Sequence, residues 1–194
     1  MHDNTTTTGG LFPTANGAYF YDMGVSSNNV VLVRDNLDKI YKYQNNTWSI
    51  ISSPVTPANI LASEMASDHL GNVWWMERLE TSPNNYTYNL KKFDGNSIQS
   101  LPTSGIGFTK PYLDENGDLW TAFGIGEIRK YNGTSWTVYN FTPSNAQAYN
   151  ITGRNNTLYI TTQDDGLLEF DGTNWTTCNT SNSPLTSNEL RKLA

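Results

Sequence analysis

Residues 131–136 read Tyr-Asn-Gly-Thr-Ser-Trp, and residues 170–175 read Phe-Asp-Gly-Thr-Asn-Trp. Looser copies of this signature stand at 93–98 (Phe-Asp-Gly-Asn-Ser-Ile) and at 43–48 (Tyr-Gln-Asn-Asn-Thr-Trp). The leading aromatic residues are 50, 38 and 39 positions apart. Self-similarity at intervals of this length indicates a repeat protein, in which each unit is one small supersecondary structure.

A second signature precedes the first one in each of the last three units. Asp-X-X-Gly-X-(Val/Leu)-Trp occupies 68–74 and 114–120, and 153–159 carries the variant Gly-Arg-Asn-Asn-Thr-Leu-Tyr. The glycine of this signature suits a tight turn between two strands, because glycine adopts positive φ at little cost.

The two signatures together predict four strands in each unit. Val73 or Leu119 begins the second strand, 128–131 and 167–170 form third strands, and Trp136 opens a fourth after an Asn-Gly turn. Four short strands in about 40 residues are typical of a propeller blade. The predicted fold class is therefore all-β, a β-propeller of four-stranded antiparallel blades, with four repeats in this chain.

The composition agrees with a β protein and excludes several partners. Aromatic residues make up 12% of the chain and favour half-buried pleated surfaces. The net charge of −6 argues against nucleic acid, which attracts basic surfaces. No apolar run approaches the roughly 20 residues of a membrane span. Cys178 is the single cysteine, so no disulfide forms within the chain.

The repeats resemble those of the two-component-regulator propeller family. The resemblance rests on D-x-x-G-x-(L/V)-W, then G-(L/I)-x-(K/R)-(F/Y)-D-G, then W, and on the Asn-Ser-Pro-Leu-Thr-Ser-Asn stretch at 182–188. It covers about residues 25–191. It implies bacterial, extracytoplasmic blades that belong to sensors or secreted and surface proteins, and it implies no single activity.

The predicted organisation is a disordered or tag-like stretch at 1–11, followed by blades over 12–194. Four repeats occupy this range, and about 188–193 forms the unpaired opening strand of a fifth. Three arrangements remain open: a closed four-bladed ring, a fragment of a longer propeller, or two copies that complete one larger ring. Open sheet edges and blade faces are disfavoured in isolation, which favours self-association or a fragment.

Most of the tryptophans repeat with the blades and are therefore predicted to be packing residues. Trp48, Trp136 and Trp175 share one repeat position, and Trp74 and Trp120 share another. Trp75 alone breaks the pattern. Because side chains alternate along a strand, it is expected to point opposite to Trp74, and it is the tryptophan predicted to contact a ligand.

Connections between second and third strands gather on one face of a propeller, where ligands dock. In this chain they are 34–36, the insertion 76–89, 124–126 and 163–165. The sequence therefore predicts a binding rim composed of Arg34, Glu77, Arg78 and Asp164, together with Trp75.

No metal, cofactor or catalytic motif is predicted. Asp114, Asn116 and Asp118 imitate the start of a calcium loop, but the glycine sits at the fourth place instead of the sixth, which favours a plain turn. His2 and His69 are distant from each other in the sequence, so they predict no zinc site. Paired carboxylates could come only from Glu77 with Glu80 or Asp164.

The preferred interpretation is a non-catalytic, extracytoplasmic module that binds a glycan or a protein and self-associates. Two alternatives remain. One is a propeller-fold enzyme, such as a polysaccharide lyase or hydrolase. The other is a purely structural assembly unit that binds nothing small.

Overall fold

The computed structural model describes residues 19–26, 29–37, 39–52, 60–101, 103, 109–123, 125–141, 143 and 145–191. The predicted N-terminal stretch at 1–11 lies outside these ranges. The chain forms two compact units, residues 1–101 and 102–194. The described residues form strands and turns, and none of them belongs to a helix long and apolar enough to cross a membrane.

The first sheet is a meander of four antiparallel strands in chain order. Its strands are β1 (Phe20–Val25), β2 (Val31–Asp35), β3 (Ile40–Gln44) and β4 (Thr47–Ser52). The β3–β4 hairpin turns at Asn45 and Asn46, which have φ of 49° and 59°. Asparagine tolerates this left-handed conformation better than most residues, so the pair replaces the glycine found in the other repeats.

The second sheet is larger because two of its strands are long. Two short strands, β5 (Ile60–Ala62) and β6 (Ala66–Ser67), lie along one edge of β7 (Val73–Ser82). The other edge of β7 pairs with β8 (Asn85–Phe93), which pairs with β9 (Ile98–Leu101).

The insertion 76–89 was predicted to be a connection, and this prediction is wrong. The inserted residues extend β7 and β8 into one long hairpin that turns at Pro83 and Asn84. The physical reason is that residues 85–89 (Asn-Tyr-Thr-Tyr-Asn) alternate polar with aromatic side chains, which suits a strand that pairs with the first half of the insertion. Leu79 faces Thr87 and Glu80 faces Tyr86 across the hairpin.

The second unit contains two further four-stranded meanders. The third sheet comprises β10 (Tyr112–Leu113), β11 (Leu119–Phe123), β12 (Glu127–Tyr131) and β13 (Trp136–Asn140). The fourth comprises β14 (Ala148–Arg154), β15 (Thr157–Thr162), β16 (Leu167–Phe170) and β17 (Trp175–Cys178).

The opening strand expected at 188–193 is not a strand over the residues described there. Backbone hydrogen bonds nevertheless join Asn188 to Gly166 and Leu190 to Thr162. The approach to β14 makes a similar bond, from Gly126 N–H to the Ala146 carbonyl. The segment after β17 thus bonds to the fourth sheet at Gly166, just as the segment before β14 bonds to the third sheet at Gly126.

Both sequence signatures have a direct structural meaning. Gly71 and Gly117 have φ of 79° and 82° in the predicted tight turns. The aromatic residue and the tryptophan of the other signature are cross-strand partners, with ring centroids 4.7 to 5.0 Å apart for Tyr43–Trp48 and Tyr131–Trp136. Such pairs stabilise neighbouring strands, so the prediction that the repeating tryptophans serve packing is confirmed.

Each unit has its core between its two sheets. In the first unit Leu32 and Ile40 pack with Val73, Trp75 and Phe93. In the second unit the core residues include Trp120, Ala122, Ile128, Phe141, Ile151, Leu158, Ile160, Leu168 and Phe170. The predicted fold class, four-stranded antiparallel β-propeller blades, is confirmed.

Candidate functional site

Trp75 lies in the core of the first unit. Its side chain is 0% exposed and packs in the same cluster as Val73, two residues earlier on the strand. Its indole Nε1 donates a hydrogen bond to Glu77 Oε1 at 3.0 Å. The ring therefore presents no face to a ligand in this structure.

Glu77 is a strand residue whose carboxylate has two partners. One oxygen accepts the Trp75 bond, and the other lies 3.3 Å from Lys91 Nζ. Glu80, its suggested catalytic partner, accepts a hydrogen bond from the backbone N–H of Asn84. Both carboxylates are thus engaged in holding the hairpin.

Arg34 was expected on an exposed loop, and this placement is wrong. It is part of β2, and its side chain is 0% exposed. The guanidinium forms an ion pair with Asp22 at 2.9 Å and donates to the carbonyl of Ser63. Burial raises the pKa of Asp22 above its ordinary value, although the charge of Arg34 acts in the opposite direction. Arg34 thus links β2 to the segment between β5 and β6.

The other two predicted rim residues lie at least partly in solvent. The Arg78 guanidinium stands 4.6 Å from the centroid of the Tyr86 ring, across the long hairpin. Asp164 is exposed in the bend between β15 and β16, in the second unit. Of the five predicted residues, the structure brings Trp75 and Glu77 into direct contact and buries Arg34, which bonds to Ser63.

The turns between first and second strands are held by aspartate side chains. Asp114 Oδ1 accepts the N–H groups of Asn116 and Asp118, and its Oδ2 accepts the indole N–H of Trp120. The three hydrogen bonds identify the suggested calcium-like stretch as a turn, as expected.

Asp68 repeats this arrangement in the second sheet. It accepts hydrogen bonds from Asn72 N–H, from the Asn72 amide and from the Trp74 indole. Burial alone would raise the pKa of Asp68, but these hydrogen bonds favour the charged form, and the pKa lies below its ordinary value.

A cavity of about 300 Å³ opens between the third and fourth sheets. It lies beside the turns that precede β11 and β15 and the turn that follows β16. These turns are at the opposite end of the strands from the β11–β12 and β15–β16 connections, where the binding rim was predicted. Its lining comprises Tyr112, Asp114, Glu115, Asn116, Trp120, Lys130, Tyr139, Arg154, Asn155, Asn156, Thr157, Leu158, Phe170, Asp171 and Gly172.

Several charged groups of the cavity are already engaged by the fold. Asp114 holds its turn, and Asp171 accepts the N–H groups of Thr173 and Asn174. Lys130 pairs with Asp118 and lies 5.3 Å from the centroid of the Trp120 ring. These side chains shape the cavity, and a ligand would have to compete with the fold for their hydrogen bonds.

The remaining polar side chains of the cavity are available to a ligand. Glu115 and Arg154 are exposed, and neither makes a side-chain hydrogen bond or ion pair with any residue in the described ranges. The amides of Asn116, Asn155 and Asn156 are similarly uncommitted within those ranges. Asn155 and Asn156 form the β14–β15 turn with φ of 52° and 62°, so the backbone fixes their positions.

Tyr112 forms a wall of the cavity that depends on a glycine. A Cβ on Gly153 would sit 2.7 Å from Tyr112 Cε1, so the ring packs directly on the β14 backbone. Burial, together with the nearby charges of Asp114 and Glu115, raises the pKa of the Tyr112 hydroxyl. The hydroxyl therefore remains a hydrogen-bond donor at neutral pH.

The sequence contains a signal for this cavity at 153–154. At the position of the repeating aspartate, the fourth unit has Gly153, and Arg154 follows it where the third unit has Glu115. Residues that depart from a repeat are candidates for function. The departure at 153–154 is of the same kind as that of Trp75.

No protein-family model and no curated protein sequence matches the chain. Among solved structures it is similar to PorZ of Porphyromonas gingivalis, described as an essential bacterial surface component of the type-IX secretion system. The TM-score is 0.65 at 17% identity, over 88% of this chain and 28% of PorZ.

It is also similar to YCF48 from Cyanidioschyzon merolae, with a TM-score of 0.60 at 12% identity, over 94% of this chain and 65% of that one. This chain thus spans less than a third of PorZ and just under two thirds of YCF48. At these identities the likeness is one of fold, and the chain has the blade architecture of β-propeller proteins.

Proposed function

We propose that this chain is a non-catalytic binding module and that its ligand occupies the cavity between the third and fourth sheets. The observation that carries the proposal is that some polar groups of that cavity are held by the fold, whereas others are uncommitted. Asp114 and Asp171 are engaged by their own turns, whereas the uncommitted groups are three amides, Glu115 and Arg154. Such groups supply donors and acceptors for recognition, and they do not form a carboxylate pair for acid–base chemistry.

The ligand class that fits best is a neutral glycan of one or two sugar rings. The volume of about 300 Å³ lies at the small end of ligand cavities. Amides both donate and accept, which suits sugar hydroxyls, and the half-buried rings of Tyr112 and Tyr139 supply apolar surface. Carboxylates outnumber cations in the lining, which disfavours an anionic ligand.

The cellular setting is proposed to be extracytoplasmic, within a larger bacterial sensor or secreted protein. Two observations support this setting. The repeats resemble two-component-regulator propeller repeats, and PorZ, which shares the fold, is described as a bacterial surface component. Because the chain spans only part of PorZ and of YCF48, its role in a whole protein belongs to the proposal.

The test is calorimetric titration of the chain with a panel of neutral and acidic oligosaccharides and, in parallel, with unstructured peptides. We expect a neutral oligosaccharide to bind, and Arg154→Ala to weaken its affinity by about tenfold or more through lost hydrogen bonds. Arg191→Ala is the matched control, because Arg191 is exposed and outside the cavity. Equal loss in both variants would contradict the assignment of the site.

The same titration separates the alternatives. Binding of peptides without binding of any oligosaccharide would indicate that the ligand is a protein and not a glycan. Mass spectrometry of the incubated oligosaccharide is expected to show no product. Product formation that disappears in Glu115→Gln would establish an enzyme, and the absence of any ligand would favour a purely structural unit.

A further inference from the structure

Two equivalent turns line the cavity between the third and fourth sheets. The turn between β10 and β11 lies within 114–118 (Asp-Glu-Asn-Gly-Asp), and the turn between β14 and β15 lies within 153–157 (Gly-Arg-Asn-Asn-Thr). They are equivalent in register, because Leu119 pairs with Tyr131 just as Leu158 pairs with Phe170. A ligand in the cavity therefore contacts two copies of one structural element, one from each sheet.

Glu115 and Arg154 occupy the same position in these two turns and have opposite hydrogen-bonding capacity. Each of them precedes an asparagine that both turns share, Asn116 or Asn155. A carboxylate accepts hydrogen bonds without donating, whereas a guanidinium donates without accepting. Both side chains are exposed and uncommitted over the part of the chain that the structure describes. The two turns thus offer a ligand an acceptor from one sheet and a donor from the other.

Tyr112 lies beside both turns. Its hydroxyl oxygen would be 2.9 Å from a Cβ on Gly153, the residue that precedes Arg154. Burial raises the pKa of this hydroxyl, and the nearby charges of Asp114 and Glu115 raise it further. Glu115 and the backbone next to Arg154 are thus close to the same hydroxyl group. Because both side chains are long and the cavity measures about 300 Å³, one substituent of a sugar can contact both.

The inner part of the cavity is aromatic. The ring centroid of Tyr139 lies 5.2 Å from that of Trp120 and 5.2 Å from that of Phe170, and all three residues line the cavity. Such rings provide apolar surface for a methyl group or for the C–H face of a sugar. The Lys130 ammonium already lies 5.3 Å from the centroid of the Trp120 ring and pairs with Asp118. This internal cation disfavours a second one at the same rings, so an uncharged ligand group fits better.

We propose that the sugar bound in this cavity carries an acetamido group, so that the ligand is an N-acetylated hexosamine. This inference rests on the proposed function, because it requires the cavity to bind a glycan. The N–H of the acetamido group donates to the Glu115 carboxylate, its carbonyl accepts from the Arg154 guanidinium, and its methyl group packs on an aromatic ring. A planar amide holds its donor and its acceptor on opposite edges, whereas a hydroxyl rotates to suit either partner. The fixed acceptor and donor of the two turns therefore select the amide.

The first experiment compares sugars that differ only in this group. Chitobiose and cellobiose share their rings and their linkage, but chitobiose has acetamido groups where cellobiose has hydroxyl groups. The methyl glycosides of N-acetylgalactosamine and galactose form a second such pair with a different ring configuration. In calorimetric titration we expect the acetamido member of at least one pair to bind at least about tenfold more tightly, because it makes hydrogen bonds to two charged side chains.

Two variants test whether this preference comes from the proposed groups. Glu115→Ala removes the acceptor and Arg154→Ala removes the donor, so each should reduce the preference for the acetamido sugar to less than about threefold. Asn116→Ala is the matched control within the cavity, because loss of an amide that contacts hydroxyl groups should weaken both members of a pair alike. Arg191→Ala lies outside the cavity and should change neither affinity.

The outcomes separate this inference from the proposed function. Equal affinity for both members of each pair would overturn the acetamido assignment and leave the glycan-binding module in place. Tighter binding of deacetylated chitobiose, which carries ammonium groups in mildly acidic buffer, would also overturn it and would indicate a cationic ligand. A preference that survives in Glu115→Ala or in Arg154→Ala would overturn the proposed contacts. Failure of every oligosaccharide to bind would overturn both this inference and the glycan on which it rests.

Discussion

The indole Nε1 of Trp120 donates a hydrogen bond to Asp114 Oδ2 at 2.9 Å, and Trp74 donates to Asp68 in the same way at 2.8 Å. In each case the other carboxylate oxygen accepts backbone N–H groups of the turn. One side chain thus joins the tight turn to the strand that follows it. This bond explains why aspartate and tryptophan stand six positions apart in the repeat signature.

Removing this carboxylate should destabilise the second unit. Asp114→Ala deletes the acceptor of three N–H groups, including the indole of a tryptophan that is nearly buried. We expect a loss of about 1–3 kcal/mol in the free energy of unfolding, measured by urea titration. The neighbouring Glu115→Ala should change stability by less than about 0.5 kcal/mol. Equal effects of the two substitutions on the free energy of unfolding would show that Asp114 has no special structural role.

Acid stability should depend on Asp68. Its hydrogen bonds outweigh burial and hold its folded-state pKa below the unfolded value of 3.8. Its contribution to stability is therefore complete above the unfolded pKa and is lost as the pH falls through the folded pKa. Asp68→Asn should lower the melting temperature at neutral pH and flatten its decline in acid. Parallel melting curves for both proteins from about pH 7 to pH 2.5 would contradict this.

Two glycines with similar backbone angles should tolerate alanine very differently. Gly133 and Gly166 have φ of 94° and 86°. A Cβ on Gly133 meets nothing within 4 Å, so only backbone strain of about 1–2 kcal/mol is expected. A Cβ on Gly166 would collide with the backbone oxygen of Cys178. Thermal unfolding should therefore rank Gly166→Ala well below Gly133→Ala, and a reversed order would show that the β15–β16 bend relaxes freely.

Breaking the buried ion pair of the first unit should lower the free energy of unfolding more than replacing both of its residues does. Arg34→Met leaves the Asp22 carboxylate buried without its cation, with an expected loss of about 3–5 kcal/mol. Adding Asp22→Leu should recover only part of this loss, because an apolar pair avoids the desolvation of both charges but leaves the backbone N–H of Met65 without its acceptor. Urea unfolding of the two single variants and the double variant measures the coupling. Additive effects would mean that the pair does not act as a unit.

Trp75 should be needed for stability and dispensable for ligand binding. Trp75→Ala opens a cavity in the core and is expected to cost about 3–5 kcal/mol. Trp75→Phe keeps most of the packing and loses the bond to Glu77, so it should cost less. Titration of Trp75→Phe with the ligand identified for the cavity should give unchanged affinity. A loss of affinity at unchanged stability would indicate that Trp75 takes part in ligand binding.

The fold could be predicted because each blade is local in sequence. The turn glycines and the Tyr131–Trp136 pair lie within a few residues of each other, so a short stretch encodes each hairpin. The extent of the second sheet was harder to predict. An insertion of 76–89 can form a loop or two longer strands, and the alternation of polar and aromatic residues over 85–89 was the available signal.

The candidate site, like the fold, could be predicted only where it depends on neighbours along the chain. The sequence by itself determined the blade architecture, the repeated turns and the packing role of the periodic tryptophans, because these depend on neighbours along the chain. Only the tertiary structure decided that Arg34 and Trp75 are buried and that Arg154 and Glu115 line one cavity. The physical reason is that burial and cavities arise where two sheets pack, and that packing joins residues about 40 positions apart in the chain.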